Sequence, residues 1–408
     1  MKAIDIKYAN LLINTGINIQ KGQTLLIHAE PVHYEFVTLL SETAYKRGAK
    51  RVIVKYASEH LQRLDYIYQD LDTLTQMNQW EIDEFDSYLS EDLVRLALRA
   101  PNPGLMNDVD SSKVLEHSKV RGKVMERYTQ YSMSSQGQWL VCAYPTMSWA
   151  KAVFPTLNEH DAYDKLYASI LYACRVSEDN DPQHEWELHN AQLLHQGDCL
   201  NTYNFKSLHF TNAKGTDITV GLVKGHIWGG GRKPSAKGIP FNANIPTEES
   251  FTTPDRMNVN GIVYNTLPLN NNGRLIDDFW LKFEDGKVTD FDAKVGKEAL
   301  QALLKTDDNS NRLGEIALVS YDSPISKMNI LFYNTLFDEN ASCHMALGRG
   351  YPLIENGSAL SKEALEDCGI NQSLIHVDFM FGSDDMKVVG KTFEGEDITI
   401  MEKGNITL

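Results

Sequence analysis

Residues 24–57 read TLLIHAEPVHYEFVTLLSETAYKRGAKRVIVKYA. Thr24–Ala29 is a short apolar run of the kind that fits a buried strand. Glu35–Arg47 sets Phe36, Leu39, Leu40 and Ala44 along one helical face, and Gly48 stops that helix. Arg51–Ala57 returns to a strand pattern. Strand, helix and strand at this spacing imply a parallel pair with a crossover helix. The pattern continues outward, with strands expected over Asp92–Arg99 and Gln138–Tyr144 and helices over Ile82–Leu89 and Ser111–Tyr131. Residues 1–190 therefore read as an α/β domain, a Rossmann-like open sheet covered by helices. It has no dinucleotide motif: the first strand runs into His28-Ala29-Glu30-Pro31, where no glycine admits a pyrophosphate. No Walker motif is present either.

Asn158–Cys199 reads as helical and connects the halves. His184, Glu185, Glu187 and His189 cluster there, but the two histidines are five apart and point to different helix faces, so a solvated face is expected. From Asn201 the pattern turns to β, with strands expected at Leu208–Asn212, Thr216–Val220, Gly261–Leu269 and Arg274–Phe283. Glu284-Asp285-Gly286-Lys287 is a hairpin turn, since Asp-Gly supplies the positive φ angles of a type I′ turn. Gly296–Lys305 and Ser361–Asp367 read as short helices, and Glu315–Tyr321 and Leu374–Phe381 as strands. Residues 191–408 thus form an α+β C-terminal domain.

The chain has 408 residues, enough for two domains, with 42% hydrophobic and 23% charged residues, an ordinary globular balance. No run approaches the roughly 18 apolar residues of a membrane span, and the N-terminus lacks signal-peptide character. A cytoplasmic protein without membrane contact is expected. The formal net charge of −16 repels phosphate backbones and argues against nucleic acid as a partner. Five scattered cysteines with no C-x-x-C pair argue against a disulfide framework or a thiolate zinc site. Any metal would be held by carboxylate and imidazole.

Four stretches carry chemistry. In Ile375–Phe381, alternation puts His376 and Asp378 on one strand face, where an imidazole and a carboxylate can converge on one ion. Glu315 opens an apolar strand. Glu339 and His344 are five apart, about 140° around a helix, and could still share a site if a helix begins after Glu339, leaving the glutamate in the preceding loop. Tyr351 follows a small-residue stretch and could place its hydroxyl there. Asn244–Pro254 is a polar loop able to present one carboxylate. No G-x-S-x-G elbow exists, and the neighbours Cys343 and His344 rarely meet in thiol-enzyme geometry.

The strings NANIPTEESFTTPDR (242–256), GEIALVSYDSPIS (314–326), LFDENASCHMALGRGYP (336–352) and IHVDFMFGSDD (375–385) resemble, in order, the motifs of the aminopeptidase T and aminopeptidase S family of metallopeptidases. The resemblance spans essentially the whole chain. It implies an N-terminal α/β domain, a C-terminal metal-binding domain, homodimers, and removal of single N-terminal residues from peptides with broad specificity. It carries metal ligation to Glu249, Glu315, Glu339, His344, His376 and Asp378, and an active-site role to Tyr351. Two divalent ions are implied; zinc, cobalt and manganese suit the mixed ligands, and magnesium is admissible. On that basis Glu249, Glu315 and Tyr351 are the catalytic candidates, with Glu315 bridging the ions, Glu248 or Glu249 taking a proton, and Tyr351 facing the oxyanion. The rivals are a non-enzymatic two-domain binding protein and a metal-dependent hydrolase of another amide or ester.

Overall fold

The computed structural model describes residues 2–90 and 92–408. The chain divides into two compact units. The first comprises residues 1–105, 124–192 and 231–247, and the second residues 106–123, 193–230 and 248–408. The sequence places a single boundary between 190 and 191; the chain instead passes between the units several times.

In the first unit the strands Thr24–Ala29, Arg51–Tyr56, Leu93–Arg99 and Trp139–Ala143 form a parallel sheet. Thr24–Ala29 pairs on both edges, with Arg51–Tyr56 and with Leu93–Arg99. Central position explains its unbroken apolar run, because Leu25, Leu26 and Ile27 are fully buried. The helix Tyr34–Arg47 buries Phe36, Leu39, Leu40 and Ala44, as its periodicity requires. It ends on Gly48 at φ 104°, a left-handed cap that a side chain would strain. The Asn158–Cys199 region is two helices, Glu159–Ala173 and Pro182–Tyr203. Ser111–Tyr131 likewise splits, into Ser111–Val124 and Glu126–Met133.

The second unit holds a large antiparallel sheet and a smaller one. The large sheet includes Phe205–Thr211, Asp217–Leu222, Pro254–Tyr264, Arg274–Glu284 and Lys287–Val295. The strand expected from Gly261 begins earlier, at Pro254, and the Asp285-Gly286 hairpin joins the last two strands. The smaller sheet runs in the order His376–Met380, His344–Gly348, Leu313–Leu318 and Ser250–Thr252, all antiparallel. One of its faces contributes Leu313, Ile316, Leu318, Met345, Leu347 and Phe379 to the apolar core shared with the large sheet. The Phe379 and Phe279 rings meet edge to face at 5.8 Å. The other face carries the candidate site. Among the described residues, no helix is long and apolar enough to cross a membrane.

Candidate metal centre

Strand register decides which side chains meet. Glu315 and Asp378 both pair with Ala346, and His376 pairs with Gly348. His344 pairs with Ala317, two residues beyond Glu315. Directly paired residues share a face, so Glu315, His344, His376 and Asp378 all project from the same side. The residues between them on that side are Ala317, Ala346 and Gly348, which leave space above the sheet.

Glu315 reaches this face through an irregularity. Leu313 and Glu315 are two apart and would share a face in a regular strand. The register shifts between them, so Leu313 enters the core while Glu315 turns to the site. Gly314 is the extra residue. A Cβ there would lie 2.4 Å from the carbonyl carbon and oxygen of Arg349, so only glycine allows this close passage. Glu315 is therefore not the solvated strand opener that its sequence position suggests; it is 4% exposed.

His344 also differs from expectation. The helix Thr335–Asp338 runs on into a 3-10 turn over Glu339–Ala341, and His344 begins a strand. No helix starts between Glu339 and His344; the change to extended backbone at Ser342 brings them together. The neighbours of Glu339 build this turn. Asp338 is fully enclosed and accepts the backbone N–H groups of Phe332 and Asn334. Burial pushes its carboxyl up to about 7. Asn340 accepts the Glu248 N–H at 2.6 Å and donates to the Leu336 carbonyl, tying the Glu248-Glu249 segment to the turn.

The side chains converge on Glu315. His344 Nε2 lies 2.9 Å from Glu249 Oε2 and 3.5 Å from Glu315 Oε1. His376 Nε2 lies 3.7 Å from Glu315 Oε2 and 3.5 Å from Asp378 Oδ1. Two donor groups result, Glu249–Glu315–His344 and Glu315–His376–Asp378, with ligand atoms in each within 4.8 Å of one another. The two carboxylate oxygens of Glu315 thus face different groups. Glu339 belongs to neither group, but its carboxyl feels the charges of Asp378 and Glu249. Tyr351 packs edge-on against His376, with centroids 5.3 Å apart.

These residues fit divalent ions. The Nδ1 atom of His344 faces the carbonyls of Glu339 and Ser342 at 2.9 and 3.2 Å. His376 Nδ1 faces the Arg349 carbonyl at 2.7 Å. A carbonyl can only accept, so in the neutral ring Nδ1 carries the proton and Nε2 keeps its lone pair for a ligand. Among the described residues, Asp378 Oδ1 is buried without a well-directed hydrogen bond, with His376 Nε2 at 3.5 Å. Burial, with the crowding of Asp378 and Glu249, pushes the Glu315 carboxyl up, although both histidines oppose this. Burial pushes Glu339 well up, and the same two neighbours add to it. Burial works against the His344 imidazolium, yet Glu249 and Glu315 hold it well above its usual value. Carboxylates crowded in a buried space, beside imidazoles with inward lone pairs, match the needs of bound cations.

The chain matches the thermophilic metalloprotease (M29) model over residues 4–406. It belongs to that family. It is 42% identical to aminopeptidase 2 of Geobacillus stearothermophilus over 98% of this chain and 96% of that protein. It is 39% identical to aminopeptidase AmpS of Bacillus subtilis over 98% of this chain and 97% of the relative. The solved structure of wild-type AmpT from Thermus thermophilus superposes with a TM-score of 0.88 at 34% identity, covering 99% of each chain. The M29 family is the aminopeptidase family anticipated from the motifs, and membership makes this chain a hydrolase, a metallo-aminopeptidase by family.

Two parts of this candidate site were not singled out from the sequence. Gly314 and the Arg349 carbonyl shape the array of carboxylates and imidazoles. A glycine directly before Glu315 at the head of an apolar strand was the one available signal. The His184–His189 cluster is only partly the solvated face expected of it. His184 is exposed beside Glu187, but His189 is 5% exposed and its Nε2 meets the Thr247 carbonyl at 2.7 Å. It thereby fixes the backbone two residues before Glu249.

Proposed function

We propose that this protein is a two-metal aminopeptidase that removes single N-terminal residues from peptides with broad specificity. The observation that carries this reading is the division of Glu315 between two donor groups. One ion would be held by Glu249, Glu315 and His344, the other by Glu315, His376 and Asp378, with Glu339 beside them. The mixed nitrogen and oxygen donors favour zinc, cobalt or manganese over magnesium. When bound, such ions supply Lewis acidity toward a peptide carbonyl and acidify a water at neutral pH.

The protein's own groups do the rest. Glu315 holds the two halves of the site in register. Glu249 is committed to His344 at 2.9 Å, which favours the adjacent Glu248 as proton acceptor. The excess of buried carboxylates complements the ammonium of a free N-terminus. Tyr351 stays protonated, because burial and the charges of Glu315 and Asp378 push its phenol well up. It can therefore donate a hydrogen bond to the oxyanion that develops at the scissile carbonyl. A homodimer working in the cytoplasm on peptides completes the proposal, with the unit containing residues 248–408 as the catalytic one.

Elemental analysis of the purified protein should find two divalent transition ions per chain. Aminoacyl anilides should be cleaved, and their N-acetylated forms should not. Equal cleavage of acetylated substrates, or a protein without stoichiometric metal, refutes the proposal.

A further inference from the structure

The chain at Tyr351 is neither helix nor strand, yet it is firmly tied. Just before it, the Arg349 N–H donates to the Ile375 carbonyl at 2.7 Å and the Gly350 N–H to the Asn371 carbonyl at 2.8 Å. On Tyr351 itself, the backbone carbonyl accepts the Thr253 hydroxyl at 2.7 Å. The Leu353 N–H reaches the same carbonyl at 2.8 Å, closing a tight turn around Pro352. The Tyr351 ring meets two others, Phe251 at 5.6 Å and His376 at 5.3 Å between centroids.

One short segment supplies much of this grip. Phe251 pairs with Ala317, which pairs with His344, so Phe251 faces the site. Two residues on, past the last strand residue Thr252, Thr253 reaches the carbonyl of the tyrosine whose ring Phe251 meets. Thr253 is fully buried. A buried position that needed packing alone would suit valine, which has the same shape and no polar group to satisfy. The hydroxyl is not needed to satisfy the carbonyl either, because the Leu353 N–H already does so. What it adds is a second bond to Tyr351 from a segment 98 residues away in the chain.

We infer that Thr253 is a positioning residue for the reaction: its hydroxyl, with the Phe251 ring, sets where the phenol oxygen of Tyr351 stands. A donor to a developing oxyanion must lie about 2.7–3.1 Å from it. A misplacement of about 1 Å can cost about 100-fold in rate, so the backbone that carries the donor must be fixed. The inference rests on the reading of Tyr351 as that donor and adds the group that holds it.

Steady-state kinetics with an aminoacyl anilide on the metal-loaded protein test it. Thr253→Val should lower kcat about tenfold, with KM within about twofold and bound metal unchanged. Thr253→Ser keeps the hydroxyl and should restore kcat to within about twofold of wild type. Thr253→Ala removes the same hydroxyl and replaces the valine variant if that one does not fold. Tyr351→Phe has no phenol oxygen to place, so adding Thr253→Val to it should cost less than about a further twofold. Wild-type kcat in Thr253→Val, a loss confined to KM, a loss that tracks lost metal, or losses that multiply fully in the double variant overturn the positioning role and leave the aminopeptidase reading intact. Wild-type kcat in Tyr351→Phe alone overturns the oxyanion role and the positioning role together. A wild-type protein that cleaves no anilide overturns the aminopeptidase reading itself.

Discussion

Replacing Glu315 with glutamine separates a shared ligand from an ordinary one. The change keeps the side-chain volume and removes a carboxylate from both donor groups, whereas Asp378→Asn removes one from a single group. An ion that binds only the folded chain stabilises it by RT ln(1 + [M]/Kd), about 4 kcal/mol at a thousandfold excess over Kd. Losing even a residue that merely orients a ligand weakens metal binding about 10–100-fold. With about a 100-fold loss for a direct donor, the remaining stabilisation is about 1.4 kcal/mol per ion, a loss of about 2.7 kcal/mol. Glu315→Gln incurs this loss twice, about 5 kcal/mol in all, and Asp378→Asn once. For a unit of this size, 1 kcal/mol corresponds to about 2–4 °C in Tm. The metal-dependent rise in Tm should therefore shrink by about 10–20 °C in Glu315→Gln and by about half that in Asp378→Asn. Thermal unfolding of chelator-stripped protein with and without added ion measures the difference, and elemental analysis counts the ions. Equal losses in the two variants, or two retained ions in Glu315→Gln, would refute the sharing of Glu315.

Three further outcomes are expected. Burial works against the His376 imidazolium, but Asp378 and Glu315 outweigh it and hold the group up to about 9 in the metal-free protein. Below that pH a proton must leave before an ion binds the Glu315–His376–Asp378 group, so the apparent affinity of that group should rise about tenfold per pH unit and level off above about 9; a flat profile in calorimetric titrations contradicts this. Gly314→Ala forces a Cβ to within 2.4 Å of the Arg349 carbonyl group, so the variant should lose metal and about 1–3 kcal/mol of stability by urea denaturation. Normal metal content in that variant would show that the bulge does not aim Glu315. Tyr351→Phe should lower kcat about 100-fold with KM and bound metal unchanged, and a loss confined to KM would remove Tyr351 from oxyanion stabilisation.

Local patterns carried much of the fold. The apolar run Thr24–Ala29, the stripe of Tyr34–Arg47 and the stop at Gly48 specified a parallel sheet with its crossover helix, because each depends on residues a few positions apart. The pairing of His376 with Asp378 was legible for the same reason, since a strand alternates with period two. Glu249, Glu315, Glu339 and His344 had no such local signature, and only their ordered family motifs marked them in the sequence. The tertiary structure decided how they meet. Glu315 faces the site because a bulge at Gly314 reverses its side, and His344 joins it through the pairing of strands about thirty residues apart. His189 is buried because the Thr247 backbone lies against it, a contact that helical periodicity cannot show. Periodicity determines which way a side chain points within its own element. Register and bulges determine which elements it points toward, and these depend on hydrogen bonds between segments far apart in the chain.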